Sequence, residues 1–396
     1  MQSTGGHVKI LIAPDKFKGT LSARDVAEKI ADGLREVLPD AKIDLMPLAD
    51  GGEGTAEVLC TALGGTWHQC RAHDPLAREI TARYVWIADC KLAIMEMSEA
   101  AGMRRVVGET VDIDCASTFG VGEMLLDATQ CGAREVIIGL GGSATNDGGV
   151  GMARALGFRF FNHQQEHADE LAATVSDLTK LARIVRPYLS FAQAKDRGEG
   201  KSSRVAQPGL PRIIAAVDVR NPLLGANGAT RVFGPQKGAT PENIDNLERG
   251  LTRLADVVAK EFEVDYRNEP GAGAAGGLGF GLMSFCGAKI RPGFDVVAEA
   301  VGLEARLRQV DVVITGEGSL DRQTLEGKTP AGVARLARKF GKRVFAIVGR
   351  AVEDQRVRQL FTAVYENARP GISDEESMRR AAQLVRENAR ELAKTL

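Results

Sequence analysis

Aromatic residues make up only 5% of this 396-residue chain, and basic and acidic residues nearly cancel, 51 against 52, leaving a formal net charge of -1. The basic residues are spread along the chain with no patch, so the electrostatic footprint expected of a nucleic-acid or membrane-surface binder is missing and a small partner is expected. No apolar run approaches the length of a membrane span, and the N-terminus MQSTGGHVKILIAPD has no basic region followed by a long apolar core. A cytoplasmic protein is expected. The six cysteines (Cys60, Cys70, Cys90, Cys115, Cys131, Cys286) form no CxxC pair and no disulfide-like spacing, which points to reduced structural thiols. What the chain has in abundance is glycine, 45 residues, as suits an enzyme built from many βα turns. Its length fits two or three domains.

The densest glycine signal is Glu135 to Gly151, EVIIGLGGSATNDGGVG. Val136 to Leu140 reads as a buried strand, and Gly148 to Leu156 as the helix that follows. Between them Gly141 and Gly142 permit close backbone approach, while Ser143, Thr145 and Asn146 add hydroxyl and amide groups. Backbone N–H groups at such a turn suit an oxyanion, usually a phosphate. Asp147 would repel a phosphate unless a divalent cation lay between them, which suggests Mg²⁺-phosphate. An ordinary glycine-rich turn with a capping Asn or Asp explains the same residues.

Along the chain, His7 to Ala13 is a predicted strand and Pro14 to Thr20 its loop, with Ser22 placed to cap a helix to about Leu38. Lys16 and Lys18 therefore stand at the C-terminal edge of a strand, where open α/β sheets bind ligands. Strand Ile43 to Leu48 leads to the loop Asp50 to Thr55 and a helix through Leu63; Asp50 and Glu53 there fit either a metal- or hydroxyl-binding turn or helix N-terminal charges. Shorter alternating strands, Ile80 to Ile87 and Leu92 to Met97, suggest antiparallel pairing. A helix from Thr118 to Cys131 precedes the central stretch, and Phe158 to Phe161 is a strand. Residues 194–207 are polar without apolar period, a surface loop. Ile213 to Val219 is a strand ending at Asp218, Thr240 and Pro241 look like N-cap and N1 of a helix, and Pro270 to Gly281 implies close backbone approach or a glycine-packed helix start. From Pro292 the α/β rhythm resumes with strand Val310 to Thr315, loop Gly316 to Asp321, a helix opened by Thr329 and Pro330, strands near Val344 to Val348 and Phe361 to Tyr365, and an amphipathic helix Asp374 to Lys394. The fold expected is α/β with two α/β domains: a discontinuous doubly wound Rossmann-like domain, 1–78 and 292–396, with a second mixed α/β domain, 79–291, inserted.

Several motifs compete. Gly139 to Ala144 satisfies G-x-G-x-x-A after a strand, with Glu166 or Asp169 at a plausible distance for a ribose contact, so a dinucleotide-dependent oxidoreductase is an alternative. Gly271 to Gly276 follows no apolar strand. Thr324 to Thr329 ends like a P-loop, but the first required glycine falls at Arg322. His163 to His167 has the H-x-x-E-H spacing of some zinc proteases yet lies in a polar run after a strand, where a hairpin turn is the better reading. His68 and His73 read as surface residues without partners.

Taken together, APDKFKGTLSA (13–23), PLADGGEGT (47–55), GLGGSATNDGG (139–149), NPLLGANGA with VFGPQKGATPE (221–242), PGAGAAGGLG (270–279) and GEG..D.QT..GKTP..VA (316–334) closely resemble the bacterial glycerate kinase family of the type that makes 2-phosphoglycerate. The six blocks span nearly the whole chain in the same order. The resemblance implies ATP- and Mg²⁺-dependent phosphorylation of D-glycerate in a two-domain α/β architecture. Three departures stand out: Arg220 where the family commonly has an acidic residue, Ser319 and Arg322 displaced from the basic-then-small arrangement of the GEG block, and a long polar loop at 194–207.

Phosphoryl transfer depends on positioning and charge stabilisation, so it needs backbone donors, Lys or Arg, metal-binding carboxylates and a carboxylate near the attacking hydroxyl. On that basis an interdomain cleft is expected to hold MgATP against Gly141, Gly142, Ser143, Thr145, Asn146 and Asp147, with Lys16, Lys18 and Lys237 neutralising phosphate. Asp147 and Asp218 are the candidates for metal-linked or base roles, and Lys16 is placed with them as catalytic. Asp50, Glu53, Glu317, Asp321 and Lys328 would face glycerate, whose carboxylate needs a cation such as Lys328 or Arg322. The base lies among Asp50, Asp218 and Asp321. Either hydroxyl of glycerate could be the acceptor, leaving a glycerate 3-kinase, or a kinase of a related small hydroxy acid, as a neighbouring alternative. A non-catalytic nucleotide-binding regulator is the remaining class, and a homo-oligomer is compatible with the sequence.

Overall fold

The computed structural model describes residues 7–162, 170–187, 209–321, 324 and 328–396. Arg322, the His163–His167 motif, Glu166, Asp169 and the 194–207 segment fall outside these residues. The chain forms two compact units, Met1–Leu63 with Pro292–Leu396, and Gly64–Arg291.

The first unit is built on a five-stranded sheet in which every pairing is parallel, in the order Lys42–Leu45, Lys9–Ile12, Val312–Thr315, Arg343–Val348, Ala363–Glu366. Strands buried on both faces read as continuous β-branched runs, and KILI, VVIT and RVFAIV do so. Ile10, Ile12, Val312, Ile314, Phe345 and Ile347 pack with the helices Ala23–Arg35 and Ala381–Ala393. The intervening Leu11, Val313 and Ala346 are fully buried too, so both faces are covered. Those two helices touch closely at Gly33, where a Cβ would lie 2.3 Å from the carbonyl oxygen of Arg386. The first helix starts on a reciprocal capping box, with Ser22 Oγ accepting from Asp25 N at 3.1 Å. The single helix expected over Asp374 to Lys394 is two, Asp374–Arg379 and Ala381–Ala393, broken at Arg380.

The second unit carries a six-stranded mixed sheet, ordered Lys289–Pro292, Arg212–Val217, Glu135–Gly139, Leu92–Glu96, Glu79–Ile87, Thr66–His73. Its three central strands pair in parallel and the last three antiparallel, as the alternation around 80–97 suggested. Thr66–His73 pairs with Glu79–Ile87 along eight residue pairs, from Thr66 opposite Trp86 to His73 opposite Glu79. Residues 64–78 therefore belong with this sheet, and the expected boundary at Arg78 moves back to Leu63. The core joins Met95, Val121, Met124, Leu125, Val136 and Ile138 to Leu251, Leu254, Phe280 and Phe285 from two further helices, Pro241–Phe262 and Ala274–Cys286. No helix among the described residues is long and apolar enough to cross a membrane.

Candidate active site

In the first unit, the chain leaves Lys9–Ile12 and Val312–Thr315 side by side and goes on to neighbours on opposite sides, Lys42–Leu45 and Arg343–Val348. That is a topological switch point, where open α/β sheets keep their ligand crevice. The two loops emerging there are tied together, since Asp15 N donates to the Gly316 carbonyl at 2.8 Å. They place two buried acids, Asp15 and Glu317, 7% and 8% exposed.

Asp15 accepts from Thr329 Oγ1 at 2.6 Å and from the Lys16 backbone at 2.7 Å. Burial, reinforced by the charge of Asp50, nevertheless pushes its carboxyl up to about 7. Glu317 accepts from Thr324 Oγ1 at 2.8 Å. Burial raises it to about 8; Lys328 and Thr324 work against the rise, while Asp15 and Asp321 add to it. Lys328 is the N-cap residue of the helix Thr329–Lys339 and lies 3.5 Å from Asp321. Asp50 is held by its own turn, with Gly52 N donating to Oδ1 at 3.1 Å, and by Gly293, where a Cβ would fall 1.8 Å from the Asp50 carbonyl oxygen. A glycine at 293 is the condition for the Asp50 loop to sit where it does.

The cluster thus gathers Asp50, Glu317, Asp321 and Lys328 as expected, and adds Asp15, Thr324 and Thr329. Asp15 is not among the expected site residues, which at this loop are the neighbouring lysines, although a carboxylate just beyond the end of the first strand is the position the switch-point rule marks. Lys16 and Glu53, assigned to different ligands, are partners: Lys16 Nζ donates to the Glu53 carbonyl, and the two charged groups lie 3.6 Å apart. Lys18 is exposed. A groove of about 720 Å³ runs beside these loops, lined by Lys16, Lys18, Leu45, Met46, Pro47 and Val58 among others.

The glycine-rich loop of the second unit differs from the expected phosphate cradle. Ten residues, 140–149, separate the strand Glu135–Gly139 from the helix Val150–Ala155, so the G-x-G-x-x-A match is not the tight strand-to-helix turn of a dinucleotide site. Asp147 is fully walled in. Its Oδ2 accepts from Thr118 N, Thr118 Oγ1 and Gly151 N at 2.9, 2.8 and 3.0 Å, and Oδ1 from Gly149 N at 3.0 Å. Burial raises its pKa against those four bonds. With these four bonds Asp147 caps two helix starts, a structural use of the carboxylate. Asn146 is likewise buried and donates to Thr230 Oγ1 at 3.0 Å.

Lys237 is also not a surface cation. It is 4% exposed, donates to Ser143 Oγ at 2.6 Å and to the Thr145 carbonyl at 2.8 Å, and burial lowers its pKa to about 7, with the charge of Asp147 opposing. It pins the loop from below. The glycines of this block meet the second glycine block directly: a Cβ at Gly276 would lie 1.9 Å from the Thr145 carbonyl oxygen, and one at Gly149 2.9 Å from Gly281 Cα. Close backbone packing thus explains both glycine runs. What the loop leaves accessible is Gly141 and Gly142. The hydroxyls of Ser98 and Thr145 are buried with no hydrogen-bond partner among the described residues. Asp218 is exposed just past the strand Arg212–Val217, and Arg220 is exposed two residues on.

Asp15, Asp50, Glu317 and Asp321 together put an excess of negative charge at this edge of the sheet, and that charge adds to burial in raising the carboxyls of Asp15 and Glu317. The model of the Glycerate kinase family matches residues 10–396. The chain is 41% identical over 347 residues to the Glycerate 2-kinase of Escherichia coli K12, covering 88% of this chain and 86% of that one. It is 38% identical to the Glycerate kinase of Bacillus subtilis 168, with 98% of each chain covered. A crystal structure from Salmonella typhimurium LT2 that carries the provisional name glycerate kinase 2 superposes with a TM-score of 0.80 at 39% identity, over 98% of both chains. This chain belongs to the glycerate kinase family.

Proposed function

We propose that the chain transfers the terminal phosphoryl group of ATP to the C2 hydroxyl of D-glycerate, giving 2-phosphoglycerate. The observation that carries the catalytic assignment is the pair of buried acids, Asp15 and Glu317, at the switch point, with carboxyls pushed into the range where a proton can be taken and returned at neutral pH. One of them accepts the proton of the attacking hydroxyl. Lys328, at a helix start whose N–H groups also favour anions, binds the substrate carboxylate. Lys18 meets phosphate, and in the second unit Gly141 and Gly142 offer backbone oxyanion contacts from a loop that Lys237 holds in shape. Asp50 and Asp321 are the carboxylates that would face Mg²⁺, which supplies charge neutralisation on the transferring phosphate when bound.

The test is ADP release by the full chain in MgATP, with and without D-glycerate, for the wild type, Asp15→Asn and Glu317→Gln. Release should depend on glycerate, and both variants should lose roughly 10²-fold or more in turnover. Release that ignores glycerate would refute the substrate. Near-normal turnover in both variants would refute the acid–base assignment.

A further inference from the structure

Outside both clusters, three side chains of different donor type converge on the second unit: His68 on the strand Thr66–His73, Asp127 on the helix Phe119–Gln130, and Cys131 as that helix's C-cap. Strand register explains the convergence. His68 stands directly opposite Tyr84, the two rings 4.9 Å apart, and Asp127 and Cys131 are four residues apart on the helix, hence on one face. His68 was expected to be an isolated surface residue, and so was His73, which instead pairs with Glu123 at 2.9 Å.

We propose that His68, Asp127 and Cys131 form a binding site for a borderline transition-metal cation of the Zn²⁺ class. His68 Nε2 lies 3.1 Å from Asp127 Oδ1 and 3.8 Å from Cys131 Sγ, and Cys131 Sγ lies 4.0 Å from Asp127 Oδ1. Bonds of about 2.1 Å to nitrogen and oxygen and about 2.3 Å to sulfur, at tetrahedral angles, place such atoms ~3.3 to ~3.6 Å apart. The three atoms therefore need to move by only a few tenths of an ångström to share one ion. Tyr84, buried behind them, donates its hydroxyl to Asp127 Oδ1 at 2.8 Å and so orients the carboxylate, as outer-sphere partners of metal ligands do. Cys131 is exposed and the other two side chains are partly so, 40% for His68 and 31% for Asp127, which leaves an entry path and a position for water. An imidazole and a thiolate select against Mg²⁺, so the site is independent of the nucleotide's cation. Binding displaces the Cys131 thiol proton and clips strand to helix.

Co²⁺ serves as the probe, titrated into the reduced full chain in excess Mg²⁺. One equivalent should produce a thiolate-to-cobalt charge-transfer band in the near ultraviolet, and one equivalent of Zn²⁺ should bleach it. Cys131→Ser should abolish the band, His68→Asn should weaken binding, and Tyr84→Phe should weaken it roughly tenfold. Residues 68 and 131 are at the surface, so those two variants should keep the wild-type circular dichroism. Absence of the band, or a band of equal strength in Cys131→Ser, would overturn the site.

Discussion

Replacing Glu317 by Gln should make the ligand-free protein more stable and the enzyme nearly inactive. The carboxyl is raised from an ordinary value of 4.5 to about 8, chiefly by burial. Between those values the folded state holds a proton that the unfolded state has released, so stability is fully present below about pH 4.5 and falls as pH rises through the folded pKa. From 4.5 to 7 the loss accumulates at about 1.4 kcal/mol per pH unit, on the order of 3 kcal/mol by pH 7. Gln carries no such charge and keeps an oxygen to accept the Thr324 hydroxyl. Urea unfolding of the two proteins in EDTA, without nucleotide, measures the difference directly. It should be near zero at pH 4, reach about 2–3 kcal/mol in favour of the Gln variant at pH 7, and be accompanied by the loss of turnover described above. Equal midpoints at pH 7, or a Gln variant less stable at every pH, would refute the claim that Glu317 is a strained buried acid.

Three further substitutions separate scaffold from chemistry. Asp147→Asn should cost about 2–4 kcal/mol of unfolding free energy, because Thr118, Gly149 and Gly151 lose a charged acceptor, while Mg²⁺ affinity measured by calorimetry stays unchanged. Lys237 has its pKa lowered from 10.5 to about 7, so the unfolded chain binds a proton the folded one lacks and stability rises with pH between those values. Denaturation at pH 7 and pH 9 should show the wild type gaining about 2–3 kcal/mol relative to Lys237→Met. Gly293→Ala must displace the Asp50 carbonyl that lies 1.8 Å from the new methyl. It should lower kcat/KM for glycerate by roughly tenfold or more through a misplaced Asp50 loop, with the far-ultraviolet circular dichroism unchanged.

The features legible in the sequence were those written in a few adjacent residues. Ser22, and Thr240 with Pro241, announce helix starts, and each is found as a cap, completed in the structure by Asp25 and Asn243. Apolar runs such as Val312–Thr315 announce buried parallel strands. What remained hidden depends on partners distant in the chain. Asp147 looked like a bare carboxylate because Thr118, which fills half its hydrogen bonds, is 29 residues away. Lys237 looked like a free cation because Ser143 is 94 residues away. Gly148 and Gly149 read only as the start of the helix that follows, because their packing partner, the glycine run near 276–281, is distant in the chain. Asp15 gained its importance only once Asp50 and Thr329 were brought beside it.

The most direct test of the function is ³¹P NMR of the full chain incubated with MgATP and D-glycerate. Resonances of 2-phosphoglycerate and ADP rising together are predicted. A 3-phosphoglycerate signal would contradict the choice of hydroxyl, and the absence of any glycerate-dependent phosphate ester would contradict the account as a whole.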